Sequence, residues 1–178
     1  MEHPLILFKH CPKCGSARFE INNVKSKRCK DCGFVYYANP SAATAAFIVN
    51  EREELLVCIR GKEPAKGTFD LPGGFIDMGE TAEEGIKREV KEETGLDVVN
   101  ATYLFSIPNI YLYSGMEIHT MDLFFSCQVG EYDKIVGMDD VAETRFIPIS
   151  QLNPADFGLT SISKAISLFI QTYTKKTK

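Results

Sequence analysis

Three glutamates, Glu89, Glu92 and Glu93, stand at i, i+3 and i+4 in the stretch "GGFIDMGETAEEGIKREVKEETGL", the spacing that stacks side chains along one side of an α-helix. On a helical projection Ala82, Gly85, Ile86, Glu89 and Glu93 share one stripe, Glu92 lies beside it, and Glu84, Lys87 and Lys91 lie opposite. A solvated surface with i,i+4 ion pairs accounts for Glu83 with Lys87 and Glu84 with Arg88. It does not account for acids that prolong an apolar stripe, because carboxylates facing inward repel one another and take up protons unless a cation lies among them. Mg²⁺ or Mn²⁺ meets that need, since hard cations prefer carboxylate oxygens. The Gly73-Gly74 pair just ahead lets backbone approach a ligand closely. Acids and glycine turn together describe a diphosphate site, where a metal neutralises phosphate charge and lowers the pKa of an attacking water.

A second chemistry-bearing pattern lies near the start. "CPKCGSARFEINNVKSKRCKDCG" holds two CxxCG knuckles, Cys11/Cys14 and Cys29/Cys32, with 14 residues between them. That gap is one short of the roughly 15–20 common in zinc sites. Gly15 and Gly33 each follow the second cysteine, where a knuckle turn calls for positive φ. So few apolar residues surround them that the segment needs a metal to fold, and four thiolates imply structural Zn²⁺ over a redox dithiol or disulfides. Cys58 and Cys127 sit singly in apolar runs.

These groups must be positioned by the rest of the chain. A capping box, Thr81 with Glu84, opens the acidic helix near Thr81, and Gly95 stops it after Thr94. "TAAFIVN" and "LLVCIR", separated by "EREE", read as a hairpin, and "FVYYANP" ahead of them as a linker. "VVNATYLFSIPNIYLY" and "EIHTMDLFFSCQV" read as strands about a Ser114-Gly115 turn, "ETRFIPI" as a further strand and "SISKAISLFIQTY" as a closing amphipathic helix. Strands and helices mix without βαβ alternation, so the fold class is α+β, with a small zinc ribbon over residues 1–38 and the main domain over residues 39–178.

Residues 74–96 match the Nudix box, Gly-x5-Glu-x7-Arg-Glu-U-x-Glu-Glu-x-Gly-U with U aliphatic, at Gly74, Glu80, Arg88, Glu89, Val90, Glu92, Glu93, Gly95 and Leu96. The chain thus resembles Nudix hydrolases. The resemblance implies a mixed sheet between helices and hydrolysis of a nucleoside diphosphate linked to another group. It implies that Glu89, Glu92 and Glu93 hold a divalent metal with the Gly74 carbonyl, that Arg88 orients the acids and that Glu80 braces the loop. A ribbon ahead of such a domain is similar to the NADH pyrophosphatase group, although that group's Ser-Gln-Pro-Trp-Pro-Phe-Pro stretch is replaced here by "SIPNIYLYSG", and the chain has no tryptophan.

Beyond the box, "GMDDVAETRF" offers Asp139, Asp140 and Glu143 as an additional carboxylate, with Glu143 preferred. Arg60, Lys62 and Lys66 are candidates for phosphate contacts, Phe69, Tyr111 and Tyr113 for stacking on a base, and His119 reads as structural or exposed. Residues 1–38 carry seven basic against three acidic side chains, while the whole chain is −4, so the main domain is acidic and broad nucleic-acid binding is disfavoured. Neither a membrane span nor a signal peptide is read, which points to the cytoplasm. The expected partner is a small nucleotide, and a homodimer is allowed. ADP-ribose, NADH or similar compounds are the expected substrates. The alternatives are a house-cleaning nucleoside triphosphate pyrophosphohydrolase and a nucleotide-sensing binding protein.

Overall fold

Few apolar side chains are available to the first forty residues, and their structure is built accordingly from turns around a very small core. A computed structural model of the chain describes residues 2–132 and 141–176. It divides into two compact units, Met1–Pro40 and Ser41–Lys178. In the first, β1 (Phe19–Asn23), β2 (Ser26–Cys29) and β3 (Val35–Tyr37) form an antiparallel sheet in that order. Cys11, Phe19 and Cys29 are buried together, with Phe34 against them. Gly15 and Gly33 take φ of 75° and 72°, and their N–H groups donate to the carbonyls of Cys11 and Cys29. Lys27 is buried too: its Nζ donates to the Phe8 carbonyl at 2.6 Å and lies 5.2 Å from the centre of the Phe19 ring. The stretch expected to be a linker instead supplies β3, because Val35, Tyr36 and Tyr37 pair along β2.

The second unit contains β4 (Ser41–Phe47), β5 (Glu54–Arg60), β6 (Phe69–Asp70), α1 (Ala82–Thr94), β7 (Val98–Tyr113), β8 (Met116–Val129), β9 (Val141–Pro148) and α2 (Thr160–Lys176). One sheet has the order β4-β8-β7 and is mixed, with β4 parallel to β8 and β8 antiparallel to β7. The other, β6-β5-β9, is antiparallel. The expected hairpin between β4 and β5 survives only at its root, as the Val49–Leu55 bridge and a bond from the Leu56 N–H to the Ile48 carbonyl. The reason lies in β4, whose Thr44 to Phe47 are all buried, so both of its faces must be covered. Ala45 and Phe47 pack with Ile162, Ala165 and Ile166 of α2, while Ala46 and Ile48 pack with Ile86 and Val90 of α1. The expected mixed sheet between helices is therefore present, as two sheets layered between α1 and α2.

The long β7–β8 hairpin turns at Ser114 and Gly115, with φ of 50° and 74°, the paired positive values of a primed turn that matches strand twist. Among the described residues no helix is long and apolar enough to cross a membrane.

Between β6 and α1 the chain runs back along β4: the N–H groups of Thr44, Ala46 and Ile76 donate to Gly74, Pro72 and Ala42. Gly73 sits there with φ of 151°, and a Cβ on it would collide with the Thr44 carbonyl oxygen and lie 2.8 Å from the Ala45 Cα. Because both obstacles are backbone, Gly73→Ala should lower unfolding free energy by roughly 1–3 kcal/mol. Gly115→Ala, which meets nothing within 4 Å, should cost about 1 kcal/mol from φ alone. Urea denaturation of both variants measures the difference.

Candidate active site

Helix α1 owes its position to ends written in the sequence. The Thr81 side chain accepts from the Glu84 N–H, the Glu84 side chain accepts from the Thr81 N–H, and Gly95 closes the helix in the left-handed conformation. Its buried face is Gly85, Ile86, Val90 and Thr94. Glu89 and Glu93 flank that face half-buried, whereas Glu92 is 49% exposed. The expected inward trio is thus two acids at the edge of the core and one at the solvent margin, because Val90 and Thr94 occupy the centre of the stripe.

Arg88 gathers these charges. Its Nε and Nη2 donate to the two oxygens of Glu80, each at 2.9 Å, and its Nη1 donates to Glu89 at 2.7 Å and to Glu92 at 3.1 Å. Nη2 also reaches the Phe75 carbonyl at 3.0 Å. Glu80 in turn accepts the Asp77 N–H at 3.0 Å. One guanidinium therefore ties the helix to the loop before it, using the planar fork that suits carboxylates. Bonding to Arg88 holds the Glu80 carboxyl below its usual range, while burial pushes Glu89 up against the pull of the same arginine.

Glu93 makes the other tie: its Oε2 accepts the Gly73 N–H at 2.9 Å. At Gly74 a Cβ would lie 2.6–2.7 Å from the Glu89 carboxylate atoms, so any larger residue would make that carboxylate shift from its place. The Gly74 carbonyl accepts the Thr44 N–H at 2.8 Å, which uses one of its two lone pairs.

The acids open onto a cleft of about 770 Å³ that also reaches Cys58, Asp70, Thr120 and Asp122. Arg60 lines it, with its guanidinium engaged by Asp70 at 2.5 Å, the Pro64 carbonyl at 2.7 Å and the Tyr111 hydroxyl at 3.4 Å. Burial pushes the Asp70 carboxyl up against the opposing pull of Arg60. Tyr111 lines the cleft and meets Phe75 edge-on, with ring centres 5.9 Å apart. Lys62 and Tyr113 also line it. Other expected residues are placed elsewhere. Phe69 packs edge-on against Phe157 beneath Arg145, and Glu143, 58% exposed, pairs with Arg145 at 3.1 Å. Lys66 is exposed, and Asp139 and Asp140 lie outside the described residues.

Asp70, Phe75, Thr120 and Asp122 were not singled out from the sequence. A signal existed for two of them: Thr120, Asp122 and Phe124 alternate along β8 and all three are buried, so an acid stands where an inward apolar residue is expected. His119 has the opposite parity and is partly buried.

In the first unit the sulfurs of Cys11, Cys14, Cys29 and Cys32 lie within 4.8 Å of one another. The N–H of Cys32 bonds to the Cys29 sulfur and lowers that thiol to about 7, which favours the thiolate that binds metals. Burial instead pushes Cys58 up, and Cys127 up to about 12.

Because the folded pKa of Glu80 is depressed, its contribution to stability is fully present above its ordinary 4.5 and is lost as pH falls through the lower folded value. The stability gap between wild type and Glu80→Gln, measured in chelator by denaturant unfolding, should therefore be constant above that pH and shrink below it.

A family model described as NUDIX domain matches residues 39–166. An ADP-ribose pyrophosphatase of Methanocaldococcus jannaschii is 34% identical over 130 residues, covering 72% of this chain and 73% of that protein. An NAD-capped RNA hydrolase NudC of Vibrio atlanticus is 33% identical over 100 residues, which are 56% of this chain but only 36% of that longer protein. The crystal structure of a NUDIX hydrolase from Nitrosomonas europaea superposes with a TM-score of 0.69 over 92% of this chain and 90% of that one, at 20% identity. With a capped acidic helix, a glycine turn against it and a family match across most of its length, the chain belongs to the NUDIX family.

Proposed function

We propose that this protein hydrolyses the diphosphate linkage of a nucleoside diphosphate derivative with the help of Mg²⁺ or Mn²⁺, taking ADP-ribose ahead of NADH. The observation that carries the reading is the meeting of Glu89 and Glu93 with the Gly73-Gly74 turn at the edge of a cleft large enough for a nucleotide. The donor set fits a hard cation: Glu89, Glu92 and Glu93 are carboxylates, and Gly74 retains a free carbonyl lone pair beside Glu89. When bound there, the metal supplies charge for the phosphates and acidifies water. Arg88 holds Glu89 and Glu92 in place, and Glu80 braces the arginine and the Asp77 turn. The Gly73 N–H aims Glu93, and Phe75 and Tyr111 at the cleft give aromatic surface for a base or ribose.

The substrate class draws on the similarity to a protein named ADP-ribose pyrophosphatase. Four clustered sulfurs and a core of three buried residues support structural Zn²⁺ at Cys11, Cys14, Cys29 and Cys32. Six free cysteines suit a reducing, cytoplasmic setting.

Glu93→Gln keeps the shape that accepts the Gly73 N–H and removes a charge, so kcat should fall roughly a hundredfold or more with the melting temperature little changed. Turnover near wild type would contradict the assignment. Across ADP-ribose, NADH, a sugar nucleotide and several triphosphates at equal Mg²⁺, kcat/KM should be highest for a diphosphate derivative. A triphosphate leading by tenfold or more would install the house-cleaning reading instead. Metal analysis should find about one zinc per chain, lost with stability in Cys29→Ser and retained in Cys58→Ala and Cys127→Ala.

A further inference from the structure

A carboxylate sits in the cleft that the proposed hydrolysis does not use. Asp122 is 7% exposed, and its Oδ1 and Oδ2 accept from the hydroxyls of Thr120 at 2.6 Å and Ser161 at 2.5 Å. Ser161 belongs to α2 and is fully buried, Thr120 is 4% exposed, and Thr120 and Asp122 line the cleft. Among the described residues no Lys, Arg or His pairs with Asp122 within 4 Å, whereas Asp70, the neighbouring buried acid that feels its charge, is matched by Arg60. Two neutral hydroxyls leave about half of a carboxylate's acceptor sites unused, and a buried anion so lightly compensated is costly unless a further donor reaches it.

The neighbourhood deepens that demand. Having donated their protons to Asp122, the Thr120 and Ser161 oxygens offer only lone pairs to anything else. Thr44, also in the cleft lining, has a buried hydroxyl with no hydrogen-bond partner among the described residues. Leu159 and Ile162 supply apolar wall on the α2 side. Aliphatic wall beside an acceptor without a cation suits a heterocycle carrying an N–H donor; a phosphate would be repelled.

We infer that Asp122, aimed by Thr120 and Ser161, is a specificity residue that accepts a hydrogen bond from the 6-amino group of an adenine base. This rests on the proposed use of an adenine nucleotide as substrate. A base with a carbonyl oxygen in place of the amine would set lone pairs against the carboxylate at that position, the situation in which a polar site rejects an analogue strongly.

The test compares ADP-ribose with its hypoxanthine analogue, in which a 6-oxo group replaces the amine and N1 carries a hydrogen. It uses the full chain with Mg²⁺, as wild type, Asp122→Asn and Ser161→Ala. Wild type should favour adenine in kcat/KM by about a hundredfold or more. Asp122→Asn, whose amide can donate to the 6-oxo group, should bring the ratio to within about threefold, as expected when donor and acceptor are exchanged. Ser161→Ala, which leaves the acid but removes one hydroxyl aiming it, should narrow the ratio in the same direction and covers the case of Asp122→Asn failing to fold. A wild-type ratio within threefold, or an equal loss on both substrates in Asp122→Asn, overturns the inference, since a purely structural aspartate would change both alike. Calorimetric binding of AMP and IMP to the wild-type chain without metal separates this from the hydrolase reading. If neither ADP-ribose nor its analogue is cleaved, the hydrolase reading falls, yet AMP binding at least tenfold tighter than IMP supports the subsite and equal affinities refute it.

Discussion

The arrangement around α1 depends on Arg88. Four acids, Glu80, Glu89, Glu92 and Asp77, lie within 4 Å of its guanidinium, and Glu80 and Glu89 are each only 15% exposed at the side chain. Without a cation among them these carboxylates would repel and draw protons. With it, helix, loop and the Phe75 carbonyl are bound into one frame. Glu93 is tied from the other side, by the Gly73 N–H. The guanidinium, itself raised in pKa by bonds to Glu80 and Glu89, stays charged at any physiological pH.

The frame is useful only because β4 holds the other side. Its Ala42 and Thr44 bond to the glycine loop while Ala43 to Phe47 pair with β8, so one strand fixes the turn carrying Gly74 and the strand carrying Asp122. Small residues make this possible: Ala42, Ala43, Ala45 and Ala46 let backbone approach from several directions, and Gly73 touches the Thr44 carbonyl more closely than any side chain would permit. Polar groups then divide along the cleft, with metal-type donors at α1 and uncompensated acceptors at β8 and α2.

What could be read from sequence followed locality. The cap, the stop and the acid spacing of α1 are written within fifteen residues, and the Ser114-Gly115 turn within two, so both were legible. The β4–β5 hairpin was misread because apolar runs on either side of a charged turn do not reveal that the first strand will pair in parallel with β8, more than seventy residues later. Likewise "FVYYANP" lacks the alternation of a long strand, yet three of its residues complete the ribbon sheet. In the site, Arg60 carried a charge visible in the sequence but not its engagement by Asp70, ten residues on. Phe69 was adjacent to the glycine turn in sequence, but strand parity directs it to Phe157 and the core. Asp122 was visible in principle as an acid of inward parity on β8.

The central claim is that the α1 acids and the glycine turn form a divalent-cation site within this chain. Electron paramagnetic resonance titration of Mn²⁺ into the chelator-treated chain, without nucleotide, tests it directly. The account predicts saturable binding in the Nudix unit of wild type that is weakened roughly tenfold or more in Glu93→Gln, with Mg²⁺ competing for the same site. Mn²⁺ binding of equal strength in wild type and Glu93→Gln would contradict it.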